Sequence, residues 1–147
     1  MIIETNMKTI LDSPNSNELF EVYFSEGSRG LLPKHNVNKE IFYKMEQAGL
    51  TDCFGVFDKK KLVGFVISST TVMPHYNCLG TTIMSIFISK QYRKFGTART
   101  LIKLVEARAK AKGSEAVMLS SPIDSKFGQF STSLGYRKLN EFYGKAL

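Results

Sequence analysis

The apolar residues recur with two different periods, and each change of period marks a new element. Residues 1–11 alternate loosely, which predicts an edge strand. The cluster Ser13-Pro14-Asn15-Ser16-Asn17 reads as a turn with a helix cap inside it. Leu19, Phe20, Tyr23 and Phe24 then form one face of a short helix that breaks near Gly27. Residues 28–34 hold Gly30 and Pro33 and predict a loop. From about Asn38, Ile41, Phe42, Met45 and Ala48 return at helical spacing, and Gly49 stops that helix. A hairpin follows: a strand over 53–57, a turn over 58–61, and a longer partner over 62–73. Residues 74–80 form a loop leading to an apolar run, Ile83-Met84-Ser85-Ile86-Phe87-Ile88, with the β-branched and aromatic content of a buried strand. After a polar link over 89–92 and the turn 93–98, Ala98, Leu101, Ile102, Val105 and Ala109 give the face of the main helix, which Gly113 ends. Residues 115–121 predict a further strand. Phe127, Phe130 and Leu134 mark a short helix closed by Gly135, and residues 136–147 read as a last strand. The expected order is strand, two helices, three strands, helix, strand, helix, strand.

Composition narrows this picture little. With 147 residues and an ordinary apolar share, the chain makes one α+β domain over residues 1–147. No apolar run is long enough to cross a bilayer, so no membrane partner is expected. The first residues, MIIETNMKTILD, lack the basic start and small-residue cleavage site of a signal peptide. Cys53 and Cys78 are isolated and lack metal-ligand spacing, so no metal is expected and both read as small buried apolar side chains. These features predict a reduced, cytoplasmic protein. The net charge of +7 suits a polyanionic ligand and suits RNA equally. Its basic residues are spread out and are not interleaved with aromatics as a stacking platform would require. The triplet Lys59-Lys60-Lys61 reads as a solvated turn.

Candidate chemistry concentrates where the apolar run meets the main helix. Strand, glycine-bearing basic turn and helix, in that order, make a site for phosphates. The first-turn amides of a helix have no intrahelical acceptor, and its dipole adds partial positive charge. Gly96 lets an anion approach the backbone. Arg93, Lys94 and Arg99 add formal charge, at roughly 1.5–3 kcal/mol for each charge-assisted contact. The two common nucleotide loops, G-x-x-x-x-G-K-[ST] and G-x-G-x-x-G, are both missing.

Arg93-x-x-Gly96-x-Ala98 resembles the Q/R-x-x-G-x-G/A signature of the GCN5-related N-acetyltransferases (GNAT), whose loop binds the pyrophosphate of acetyl-CoA. Ile88-Ser89-Lys90-Gln91-Tyr92-Arg93 is similar to the family's V-x-P-x-Y-R, with Lys90 in place of proline; Lys94 stands where glycine is usual. Leu134-Gly135-Tyr136 matches its late L-G-F/Y element, so the resemblance covers about the C-terminal half. Pro74-His75-Tyr76 is similar to small GNAT proteins encoded by tailed phages, which would place the protein in a host cytoplasm. The resemblance implies a GNAT-like acyl-CoA N-acyltransferase fold, a central mixed sheet flanked by about four helices. It implies that the fourth and fifth strands splay apart around the pantetheine arm. The cofactor site would then comprise Ile86, Phe87 and Ile88 on the strand with Arg93, Lys94, Phe95, Gly96, Thr97, Ala98 and Arg99 on the loop.

The implied reaction is direct acetyl transfer from acetyl-CoA to a primary amine of a small molecule or a peptide. It needs a neutral amine, a stabilised oxyanion and a proton for the thiolate. A lysine amine is only about one part in a thousand neutral near pH 7.4, whereas an α-amine, with a pKa near 8, needs far less help. His75 is the candidate base, because its intrinsic pKa suits the task. No glutamate lies on the fourth strand, and Glu106 and Glu115 read as surface charges. Many relatives carry a tyrosine four residues before the late glycine; this chain has Ser131 there. Tyr143, on the expected last strand, is the other candidate acid. A phenol's pKa lies closer to a thiol's than an aliphatic hydroxyl's does, which ranks Tyr143 ahead of Ser131. Two other readings remain: a GNAT toxin acetylating aminoacyl-tRNA, and a non-catalytic acyl-CoA- or protein-binding module. Many relatives dimerise, so a homodimer enters as a partner through the resemblance.

Overall fold

A computed structural model describes residues 1–27, 31–32 and 35–147, with Phe95 by its main chain alone. The loop expected over 28–34 therefore lies mostly outside the described residues. In chain order the elements are β1 (Ile2–Glu4), α1 (Met7–Leu11), α2 (Ser16–Gly27), α3 (Lys39–Gln47), β2 (Thr51–Asp58), β3 (Lys61–Met73) and β4 (Cys78–Ile88). A 3-10 turn (Lys90–Phe95) then leads into α4 (Thr97–Ala111), β5 (Ser114–Leu119) and α5 (Lys126–Ser133). The five strands form one mixed sheet in sequence order, antiparallel from β1 to β4 and parallel between β4 and β5.

Alternation along the strands sends one set of side chains to each face, and each face is covered by helices. On one side Cys53, Phe57, Leu62, Phe65, Ile67 and Phe87 pack under Met7, Ile10, Leu11, Leu19 and Phe20 of α1 and α2. On the other, Phe54, Val56, Val63, Val66, Ile83 and Ile88 receive Leu101, Ile102 and Val105 of α4. Gly55 is required for this packing. A Cβ there would stand 2.6 Å from Ile10 Cγ1.

Three expectations are corrected. Only residues 2–4 of the first stretch form a strand; Asn6 caps a helix by accepting from the Thr9 amide at 3.0 Å. Met7, Ile10 and Leu11, at the i, i+3, i+4 spacing of a helix, are fully buried, and their burial decides the matter. In α3 the inward face is Phe42 and Tyr43 rather than Ile41, which stays in solvent. Residues 136–147 form no strand, and residues 137–147 are exposed. Strand propensity is realised only against a pairing edge, and among the described residues β5 pairs with β4 alone.

Asn15 fastens the start of α2 to the sheet. Its amide donates to Leu62 O at 2.8 Å, and its carbonyl accepts from Leu62 N at 3.0 Å. Leu62 is fully buried, so Asn15→Ala would strand both of its main-chain groups. The expected loss is about 2–3 kcal/mol in urea unfolding; a change below about 0.5 kcal/mol would show that water replaces the amide.

Candidate active site

The site begins where β4 and β5 part. Their parallel register runs from Leu79 opposite Ser114 to Ile83 opposite Leu119 and goes no further. The β3–β4 register shifts at the same place: Ser68 faces Ile83 and Ile67 faces Ser85, so Met84 is an extra residue in the ladder. A bulge bends its strand and ends regular pairing. Beyond it β4 continues to Ile88 with no β5 partner, leaving about 16 Å of open edge over residues 84–88. Ser89 N donates to Val63 O at 2.9 Å. By ladder alternation Phe87 also turns its main chain to β3, while Ile86 and Ile88 turn theirs to the opening.

At the end of that edge the chain makes the 3-10 turn and reaches Gly96, whose φ of 70° and ψ of 10° are left-handed. Such a conformation favours glycine, and among the described residues no atom beyond its chain neighbours lies within 4 Å of where a Cβ would stand. Directly behind it α4 starts without a side-chain cap and without an acidic residue in its first turn. Lys94 and Arg99 are exposed beside it. Unsatisfied amides, the positive end of a helix dipole and two cations suit a diphosphate. The turn is tied down by Tyr92, whose hydroxyl donates to Asp58 Oδ2 at 2.7 Å, and by Thr97, whose hydroxyl donates to Tyr92 O at 3.2 Å. The Asp58 carboxylate beside the Tyr92 phenol raises its pKa.

Arg93 points elsewhere. Its Nε donates to Ile88 O at 2.7 Å, and a terminal nitrogen donates to Glu26 Oε2 at 2.7 Å. Its guanidinium lies 5.4 Å from the centre of the Phe87 ring. The proton-transfer candidates stand on three separate segments. Ser131 is buried and donates to Phe127 O at 2.8 Å within its own helix. Tyr143 is 88% exposed and donates to Glu141 Oε2 at 2.8 Å. His75 sits in the turn between β3 and β4, at the end of β4 away from Ile88.

A protein-family model described as the acetyltransferase (GNAT) domain matches residues 21–144. The chain belongs to the GNAT acetyltransferases. Solved structures agree at the level of fold. The tetramutant of the BH1408 protein from Bacillus halodurans superposes with a TM-score of 0.75 at 18% identity, covering 100% of both chains. A ribosomal-protein-alanine N-acetyltransferase from Brucella melitensis biovar Abortus 2308 gives 0.68 at 16% identity, covering 97% of this chain and 96% of its own. An aminoglycoside acetyltransferase from an uncultured soil metagenomic sample, in complex with sisomicin, gives 0.72 at 18% identity, covering 99% and 96%. No curated protein matches this GNAT chain in sequence.

Two partners of the turn escaped sequence reasoning, Glu26 and Asp58. Each lies far from the loop in sequence and close to it in space, so no local spacing reports it. No group of His, Cys, Asp or Glu suited to holding a metal occurs among the described residues. Cys53 is buried between β2 and α3, where desolvation, then the Glu46 carboxylate, raises its thiol pKa strongly. A raised folded pKa stabilises the fold below the unfolded thiol value of about 8.5, and that contribution is lost as pH rises above it. Wild-type unfolding free energy should therefore fall between pH 8 and 10 by up to about 1.4 kcal/mol per unit more steeply than that of Cys53→Ala. Parallel pH profiles would place the ionisation elsewhere.

Proposed function

We propose that this domain transfers the acetyl group of acetyl-CoA directly to a primary amine of a small molecule or a peptide. The observation that carries the reading is the open β4 edge ending at the uncapped α4 start behind Gly96. The main-chain amides of residues 95–98 would hold the diphosphate, with Lys94 and Arg99 supplying charge. Main-chain groups of Ile86, and the Ile88 amide, would bind the pantetheine arm; the Ile88 carbonyl already accepts from Arg93. Acetyl-CoA supplies the activated thioester when bound.

Residues 84–88 are Met, Ser, Ile, Phe and Ile, so no carboxylate or imidazole belongs to the open edge itself. His75, Ser131 and Tyr143 stand on other segments, and an acceptor that is already largely neutral needs least from them. An α-amine, with a pKa near 8, meets that need better than a lysine side chain. The structural neighbour named for ribosomal-protein alanine supports a peptide acceptor, and the neighbour bound to sisomicin supports a small polyamine-like one. Water is then the relay that takes the amine proton and returns one to the thiolate.

Calorimetry with acetyl-CoA tests the site. Wild type should bind, and Gly96→Asp should weaken binding by about tenfold or more through like-charge repulsion at the diphosphate. Equal affinity in the two proteins removes the loop from the site. With an amine acceptor in hand, Tyr143→Phe and Ser131→Ala should each keep kcat within about tenfold, below the 10²–10⁴ of a general acid or base. A loss of about a hundredfold in either would return that hydroxyl to the reacting centre.

A further inference from the structure

We infer that Glu26 is a positioning residue for the acyl donor, acting through Arg93 on the diphosphate turn. The inference rests on the acetyl-CoA reading above. Glu26 stands in the last turn of α2, where the helix dipole disfavours a carboxylate and where no basic residue of the helix offsets it. Its partners come from the turn that follows β4. Arg93 donates to Glu26 Oε2 at 2.7 Å, and Lys90 Nζ lies 4.0 Å from Oε1. Both cations belong to the 3-10 turn that delivers Gly96.

A lone ion pair of this exposure would contribute little. This one is part of a network on a single guanidinium. Arg93 is held at once by the Ile88 carbonyl, the Glu26 carboxylate and the Phe87 ring, the last two reached from α2 and from the face of β4 that α2 covers. A planar, forked cation can hold all three in one geometry. The arrangement has two consequences. It fixes the turn against α2, so the amides of 95–98 keep one direction without a side-chain cap. It also occupies the Ile88 carbonyl, leaving Ile86 as the acceptor on the open edge. Arg93, the charged residue of the signature, thus shapes the loop and leaves direct charge neutralisation to Lys94 and Arg99.

The test compares two acyl donors that differ by the nucleotide diphosphate, acetyl-CoA and S-acetylpantetheine. Glu26→Gln and Arg93→Ala should each raise the acetyl-CoA Kd about tenfold, the loss of one charge-assisted contact. The double variant should be no weaker than the worse single, because both act on one element. In Glu26→Gln, which leaves Arg93 on the Ile88 carbonyl, the KM for S-acetylpantetheine and the kcat should stay unchanged. Hydrogen exchange of the amides from Lys90 to Thr97 should quicken in Glu26→Gln, with or without acetyl-CoA. Binding by Glu26→Gln within twofold of wild type, or tighter, overturns the inference, since Arg93 would then serve the diphosphate better when released. An equal loss with both donors overturns it too, by marking a general structural defect. If wild type itself fails to bind acetyl-CoA, the proposed function falls, while unchanged exchange at the turn sinks the positioning role independently.

Discussion

The rest of the structure depends on a parallel strand pair that stops halfway. Through Ile83, β4 is hydrogen-bonded on both edges; after the extra residue at Met84 it is bonded to β3 alone. Main-chain groups left open at an edge need partners, and an edge lined by apolar side chains is costly to leave to water. The strand runs on into a turn that ends at the uncapped start of α4. The edge and the turn thus leave unpaired main-chain groups side by side.

The opening is held by ordinary packing. Leu101, Ile102 and Val105 bury α4 against β2, β3 and β4, which fixes the axis of the helix and so the direction of its dipole. On the opposite face Phe20, Tyr23, Phe65 and Phe87 form a continuous aromatic contact under α2. Phe87 therefore belongs to the core by its side chain and to the β3 ladder by its main chain. Arg93 rests on that same ring, so the turn before Gly96 is braced from the face that α4 does not cover. The charge of +7 gains a local meaning here: Lys94 and Arg99 are free of ion pairs among the described residues, while Lys90 and Arg93 are drawn to Glu26.

Much of this was legible in the sequence because it is local. The apolar run 83–88, Gly96 and the helical stripe from Ala98 to Ala109 are set by neighbours a few residues away, and the structure keeps all three. Residues 1–11 show the opposite case. A loose alternation and a helical triplet, Met7, Ile10 and Leu11, share that stretch, and both readings satisfy the pattern until burial chooses between them. The last twelve residues show it again. Leu139, Phe142 and Tyr143 have the composition of a strand, yet a strand is a relation between two segments, and no edge is paired with them.

By itself, then, the sequence determined the elements whose periodicity is strong and the one turn whose glycine has a conformational reason to be there. From these followed the α+β class, and the resemblance of Arg93-x-x-Gly96-x-Ala98 and Leu134-Gly135-Tyr136 pointed to the family. Tertiary structure alone decided how far β4 and β5 remain paired, which main-chain groups face the opening, and where Arg93 turns. Each of these depends on contacts between segments distant in the chain, Glu26 with Arg93, Asp58 with Tyr92, and Ser68 opposite Ile83. A residue's type states what bonds it can make; only the packed core states which partner comes within reach.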